Sequence, residues 1–239
     1  MKGLSIIIPT YNEKKNLKIL IPKIYSKIKI KKFEILIVDD DSKDGTKQLL
    51  NKMLLRFKNL KYLSRKTKPR DLSKSCVLGF NKSKYNNILI MDGDLQHKPK
   101  EINHLYSIFL KKHCDVVVGS RNLFKKRQKG LSFYRLIVSI LLVVIVNILL
   151  GFKTADPMSG FFIFKKKIYL KNKKFLFNRG YKILLDLIYP SKEKLKILDI
   201  NIDFRSRGAG SSKINYKIIY FLVLVIIKKF FLRVSNIIK

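Results

Sequence analysis

Three features of this 239-residue sequence predict an α/β fold, a mostly parallel sheet flanked by helices. Short, continuous apolar runs, such as residues 4–8, 34–38 and 87–91, have the look of strands buried on both faces. Segments of helical length separate them over the first 120 residues, as crossover connections of a doubly wound sheet would. Polar and acidic clusters follow the runs, at the carboxyl ends of the strands, where open α/β sheets bind their ligands.

The elements read in order as follows. Residues 4–8 form a strand closed by Pro9-Thr10-Tyr11-Asn12-Glu13, and 13–28 a helix whose leading acid suits the helix dipole. Residues 34–38 are a strand ending in Asp39-Asp40-Asp41-Ser42, and 45–57 a helix. A strand at 61–64 and a helix at 73–82 come next. The run 87–91 leads into Asp92-Gly93-Asp94-Leu95-Gln96-His97, then a helix at 100–112 and a strand at 115–119, closed by Ser120-Arg121.

Beyond Arg121 the pattern changes. A basic loop at 123–130 precedes the apolar stretch 136–150, which as a helix is about 22 Å long against a hydrocarbon core of roughly 30 Å. Arg135 and Ser139 share a face at its start, so a helix at 133–152 lying in a membrane interface fits better than a span, with a buried core helix as the competing reading. A turn within 153–166 runs into a strand. A helix around 181–188, a strand at 197–204 and the basic loop 205–213 follow. The tail, 214–239, is a helix with an apolar run at 218–227, and Lys229, Arg233 and Asn236 fall on one of its faces. Cations beside apolar residues suit an anionic lipid surface. The expected division is therefore residues 1–213 as one α/β domain and 214–239 as a membrane-associated helix.

Composition narrows the partners. Lys and Arg number 52 against 16 Asp and Glu, a net charge of +36, which suits a polyanion or an anionic membrane unless it is a general lysine bias. No recognition helix, zinc spacing or aromatic–basic motif supports nucleic acid as the partner. The two cysteines, Cys76 and Cys114, lack metal-ligand or disulfide spacing, so both read as buried apolar residues in a reduced setting. The start of the chain has no signal-peptide pattern. Of the sixteen acids, Glu13, Asp39, Asp40, Asp41, Asp92, Asp94 and Asp156 lie in the clusters at issue here.

Asp92 and Asp94 carry the most chemistry. In an extended chain residues i and i+2 face the same way, so both carboxylates could meet one cation. Mg²⁺ takes oxygen ligands, commonly one or two carboxylates together with substrate phosphates. Gly93 between them would let a ligand approach the backbone closely. The plain alternative is a strand-ending turn, since Asp and Gly favour turns.

Taken together, Pro9-Thr10-Tyr11-Asn12-Glu13, Val38-Asp39-Asp40-Asp41-Ser42, Asp92-Gly93-Asp94-Leu95-Gln96-His97, Ser120-Arg121 and Asp156-Pro157-Met158-Ser159-Gly160-Phe161 resemble the family 2 glycosyltransferases of the GT-A (Rossmann-like) fold. The nearest branch is the one that transfers sugars to polyprenyl phosphates, of the dolichyl-phosphate mannosyltransferase type, and the likeness runs from Leu4 to about Lys213. It implies a metal-dependent hexosyltransferase at the cytoplasmic side of a membrane, peripheral or monotopic. The implied substrates are a nucleotide sugar, GDP-mannose favoured over UDP-glucose, and a polyprenyl phosphate, with room for a membrane-protein partner.

By that resemblance Pro9, Tyr11, Glu13, Val38 and Asp40 form a nucleotide pocket. Asp92, Asp94 and Gln96 hold Mg²⁺ or Mn²⁺, Gly93 lies against the donor, and Lys182, Arg207 and Lys213 contact or close over the donor phosphates. Arg121, Arg135 and Ser139 hold the lipid phosphate, Arg121 serves donor and acceptor alike, and His97 is structural. Asp92, Asp94 and Arg121 are the residues nearest the chemistry. The chain departs from the family at Lys98, where a proline is common, and at Arg70-Asp71-Leu72-Ser73-Lys74-Ser75, more polar than the usual glycine-rich segment.

Overall fold

Residues 3–121, 133–203 and 216–237 are described by the structure, a computed structural model. Its first part alternates as expected: β1 Leu4–Thr10, α1 Lys14–Lys27, β2 Phe33–Asp39, α2 Thr46–Arg56, β3 Leu60–Ser64, α3 Leu72–Lys82, β4 Asn87–Ile90, α4 Glu101–Lys111 and β5 Val116–Ser120. The second part holds α5 Phe133–Leu150, β6 Phe162–Lys165, α6 Lys166–Asn172, α7 Ile183–Ile188, β7 Ile197–Asn201 and α8 Tyr216–Ile237.

The seven strands make one sheet in the order β3-β2-β1-β4-β6-β5-β7. All neighbours pair in parallel except β6, which runs antiparallel to both β4 and β5. An apolar run such as Phe162-Ile163-Phe164 announces burial but not direction, so the reversal was not legible. Both faces of the sheet are covered. Ile6, Ile8, Ile35, Ile37 and Leu89 join α1 and α4 in one core, while Ile7, Leu36, Val38, Ile88 and Phe164 join α3 and α7 in the other. This two-sided burial is why the strands read as continuous apolar runs.

A third cluster lies apart from the sheet. Val146 and Leu150 of α5, Met158, Leu185 of α7, and Leu222, Val225 and Ile226 of α8 pack together. On the side away from it α5 presents Ile137, Leu141, Val144, Ile145 and Ile148, and α8 presents Tyr220, Val223, Ile227, Phe230 and Phe231, all exposed. These spacings of three, four and seven put each set on one helical face. No helix of the described residues is long and apolar enough to cross a membrane.

Two details of the tail differ from expectation. Lys229 does not face outward: it is buried and pairs with Asp186 of α7 at 2.6 Å. Arg233 donates to the Leu149 carbonyl at the end of α5, at 2.9 Å. Both cations share one helical face, but Lys229 meets a carboxylate and the Phe175 carbonyl inside the fold, while Arg233 stays exposed beside the Leu149 carbonyl. The basic loop 205–213 lies outside the described residues.

Candidate functional site

Interlocked loops build the carboxyl edge of the sheet. The loop after β1 and the loop after β2 bond reciprocally: Asn12 N–H donates to Ser42 Oγ at 2.7 Å, and Lys43 N–H donates to Asn12 Oδ1 at 2.8 Å. Asp44 accepts from Lys14 N–H at 2.9 Å and caps the start of α2 through Thr46. Asn12 and Asp41 both take positive φ, which short Asx side chains tolerate with local bonding.

Asp40 is buried. Its carboxylate pairs with Arg65 and accepts from the Asp71 backbone N–H at 2.6 Å. Burial pushes its carboxyl above the ordinary range, against the Asp71 N–H and the Arg65 and Arg70 charges. Asp71 in turn caps α3, accepting from Lys74 N–H and, across the site, from Gly180 N–H at 2.7 Å. Tyr11 accepts from Arg70 Nη1 at 2.6 Å, and the Arg70 guanidinium lies 4.4 Å from its ring centre. Tyr181, partly exposed, has its hydroxyl pKa raised by burial and then by Asp71, Asp40 and Tyr11. Tyr11, Arg70, Asp71 and Tyr181 thus converge beside Asp40. Arg65, Arg70 and Asp71 are not among the expected site residues; the polar departure at 70–75 is a signal for the last two, and Arg65 has none in the sequence.

The other predicted nucleotide residues are placed differently. Pro9 and Val38 are buried partners in the β1–β2 register, and Val38 sits in the core, so its side chain faces away from any ligand. Glu13 precedes α1 and accepts from Asn16 Nδ2 at 2.5 Å.

β4 ends at Ile90, before the acid pair. The alternation rule for extended chains therefore lapses at Asp92 and Asp94, and Leu95 takes a φ of 67° to complete a turn. Asp94 is buried and accepts from Gln96 N–H at 3.1 Å. The Asp92 side chain is 37% exposed, with His97 Nε2 at 3.8 Å. His97 stacks on Phe161, ring centres 4.8 Å apart, which agrees with a structural role. A Cβ on Gly93 would meet Ile8 and Leu17 at ordinary contact distances, so that glycine faces protein rather than ligand. The tighter glycine is Gly160, where a Cβ would collide with the Asp92 carboxylate.

Arg121 forms a two-pronged pair with Asp156, Nε to Oδ2 at 2.7 Å and Nη2 to Oδ1 at 2.8 Å. Burial alone would raise the Asp156 carboxyl, but the Arg121 charge and its hydrogen bonds bring it below the ordinary range. Lys182 donates to the Met158 carbonyl at 3.3 Å. Burial, helped by Arg121 and opposed by Asp156 and Asp92, pulls its pKa down to about 8. Arg121, Asp156, Lys182 and Asp92 therefore share one electrostatic cluster. Ser139 is half-buried on α5. The Arg135 side chain lies outside the described residues, as do Arg207 and Lys213 altogether.

The oxygen set Asp92, Asp94 and Gln96 suits a hard divalent cation, and the exposed Asp92 carboxylate over Gly160 gives it an open edge. Among the described residues no group of three or more His, Cys, Asp or Glu is placed to hold a metal ion, so the remaining ligands would come from phosphates and water.

Residues 5–172 match the model of glycosyl transferase family 2. A dolichol-phosphate mannosyltransferase of Pyrococcus furiosus is 32% identical over 91% of this chain, which spans 60% of that relative's length. The Saccharomyces cerevisiae dolichol-phosphate mannosyltransferase is 31% identical over 90% of this chain and 82% of its own. Among solved structures, glucosyl-3-phosphoglycerate synthase from Mycobacterium tuberculosis, in complex with Mn²⁺, UDP-glucose and phosphoglyceric acid, superposes with a TM-score of 0.70. It is 15% identical over 95% of this chain and 79% of that one, a likeness of fold: the sheet is GT-A-like.

Proposed function

Because the chain belongs to glycosyl transferase family 2, we propose that it transfers a hexose from a nucleotide sugar to a polyprenyl phosphate, with inversion at the sugar carbon. Mannose from GDP-mannose is the favoured donor, supported by the activity named for the Pyrococcus and yeast relatives. The observation that carries the reading is the exposed Asp92 carboxylate seated against Gly160, with the Arg121–Asp156 pair and Lys182 beside it. That is a site for an anionic leaving group at the carboxyl edge of a GT-A-like sheet.

In this reading Tyr11, Glu13 and Asp40, with the backbone at Pro9 and Val38, hold the nucleotide together with Arg70. Asp92, Asp94 and Gln96 hold Mg²⁺ or Mn²⁺, which when bound supplies positive charge for the departing diphosphate. Lys182 adds a further cation there, joined by Arg207 and Lys213. Arg121, Arg135 and Ser139 receive the lipid phosphate. An oxygen of that phosphate attacks the sugar carbon while the bond to the nucleotide diphosphate breaks. A phosphate monoester has a second pKa of about 6, so it is already a dianion at neutral pH and needs no protein base. The chain's part is positioning and charge stabilisation.

We also propose that the apolar faces of α5 and α8 lie on the cytoplasmic surface of a membrane, where the acceptor resides. Residues 1–213 would be the catalytic part and 214–239 the helix that docks it. The other donor, UDP-glucose, keeps the same chemistry. A nucleic-acid-binding role, the remaining reading of the +36 charge, lacks any motif.

The test is incubation with Mn²⁺ or Mg²⁺, a short polyprenyl phosphate and a panel of radiolabelled nucleotide sugars. Label passing into the organic phase from GDP-mannose supports the proposal; label from UDP-glucose alone replaces the donor. Salt-sensitive retention of RNA or DNA without sugar transfer would overturn it.

A further inference from the structure

Buried ion pairs in a protein are costly to form and damaging to break, so an acid among five apolar residues calls for a reason. Asp186 is that acid in α7, Ile-Leu-Leu-Asp-Leu-Ile. Its carboxylate gathers three groups. Lys229 Nζ of α8 lies 2.6 Å from Oδ1, and both side chains are 1% exposed. The backbone N–H of Phe177 donates to Oδ1 at 2.8 Å and that of Asn178 to Oδ2 at 2.9 Å. Lys229 Nζ also donates to the Phe175 carbonyl at 2.8 Å, and Lys228 Nζ to the Leu176 carbonyl at 3.1 Å. The segment 175–178 is thus tied at successive residues to one acid and two lysines.

The next residues belong to the donor site. Asn178 and Gly180 have φ of 55° and 91°, the left-handed region that asparagine and glycine tolerate, so the chain turns sharply between the Asp186 anchor and the site. Gly180 supplies its N–H to Asp71 and its carbonyl to both Ser73 N–H and Ser73 Oγ, at 3.0 and 2.9 Å. Asp71 N–H in turn holds Asp40. Tyr181 stands beside Tyr11 and Asp40, and Lys182 beside Asp92 and Arg121. On the other side Gly180 abuts α8, where a Cβ on it would lie 3.2 Å from Phe221 Cβ.

We infer that Lys229 and Asp186 are positioning residues for the donor site, so that nucleotide-sugar affinity depends on how α8 is seated. Neither residue reaches the donor cluster itself. The path runs from Lys229 to Asp186, to the amides of Phe177 and Asn178, to Gly180, and from there to Asp71 and Asp40. The inference rests on the donor-site reading above for its functional consequence, but the mechanical link does not.

The experiment compares wild type with Lys229→Met, Lys229→Arg and the double variant Asp186→Asn/Lys229→Met. Two readouts are used: amide hydrogen exchange by residue, and calorimetric binding of GDP with Mn²⁺. In Lys229→Met the amides of Phe177, Asn178 and Gly180 should exchange faster while those of β1 and β2 do not. GDP affinity should fall about five- to hundredfold, the range of typical coupling between sites. Lys229→Arg keeps the cation and should recover part of the affinity. Should Lys229→Met fail to fold because its partner is left charged, the double variant removes that burden. Asn offers one acceptor oxygen for two amides, so exchange there should still rise. A folded variant with unchanged exchange at 177–180, or with wild-type GDP affinity, overturns the inference. Faster exchange in a protein whose wild type binds neither GDP nor UDP supports the mechanical link and overturns the donor reading instead.

Discussion

Gly160→Ala isolates the position of one carboxylate from its charge. An added Cβ would stand 2.9 Å from Asp92 Cγ and 3.0 Å from Oδ1, with Oδ2 closer still, where ordinary contact begins at 3.4 Å. The nearer carboxylate oxygen must therefore retreat by about an ångström to reach ordinary contact. It can do so, because the Asp92 side chain is 37% exposed and the carboxylate is the mobile end of that side chain. Gly160 has no positive φ, so alanine adds no backbone strain, and the loss of unfolded-chain freedom favours the variant by about 0.4–1 kcal/mol. Melting temperature should hardly change. Activity should not survive so well: misplacing a catalytic group by on the order of 1 Å costs about a hundredfold. The assay is steady-state transfer of labelled mannose with Mn²⁺ titrated, beside a thermal melt. In an Asp92→Asn background the same glycine change should add little, since the two act on one group. Wild-type turnover in Gly160→Ala, or full additivity with Asp92→Asn, would refute the place given to Asp92.

Three further outcomes are expected. Asp94→Asn removes a charge but keeps the turn acceptor for Gln96 N–H, so turnover should collapse at wild-type Mn²⁺ concentration while the fold persists; retained activity would remove Asp94 from the metal set. Asp156→Asn leaves Arg121 buried without its carboxylate and should cost about 3–5 kcal/mol by urea melts. In the wild type the Asp156 pKa is depressed on folding, so its stabilisation is full above the ordinary carboxylate range and lost as pH falls through the folded value; an acid limb of stability that persists unchanged in the Asn variant would contradict this. In vesicle flotation, Ile148→Asp with Phe231→Asp should raise the soluble fraction sharply, and high salt should release the wild type only in part, because buried apolar area is not screened as charge is.

The strands of the first half were legible almost to the residue, since strands buried on both faces are continuous apolar runs and their ends carry the site. What failed to show was whatever depends on a distant partner. The direction of β6 is absent from Phe162-Ile163-Phe164 itself. The helix α6, Lys-Lys-Ile-Tyr-Leu-Lys-Asn, hides in a lysine-rich stretch that looks like loop. Asp40 was picked out, but its bonds to Arg65 and Asp71 lie 25 and 31 residues away in sequence. Asp186, a lone acid in an apolar helix, is a readable signal of a buried partner but not of which one. Lys229 and Arg233 were grouped on one face correctly, yet periodicity does not say what that face meets.

The acids also account for how so basic a chain keeps an ordered site. Asp40, Asp71, Asp156 and Asp186 are each buried, and each accepts at least one backbone N–H from a loop that no helix or strand holds: Asp71, Gly180, Arg121 and the pair Phe177 and Asn178. Three of them also hold a cation, Arg65, Arg121 or Lys229, so the scaffold's negative charge is largely neutralised from within. Asp41 is more open but faces Lys43 and Lys68. Asp92 differs from all of these. It is the more exposed of its pair, it shares an electrostatic cluster with Arg121 and Lys182 rather than a close pair with either, and Gly160 lies against it. A carboxylate so placed is available to a cation from solvent, while the buried acids fix the loops against which that cation's phosphate partners would rest.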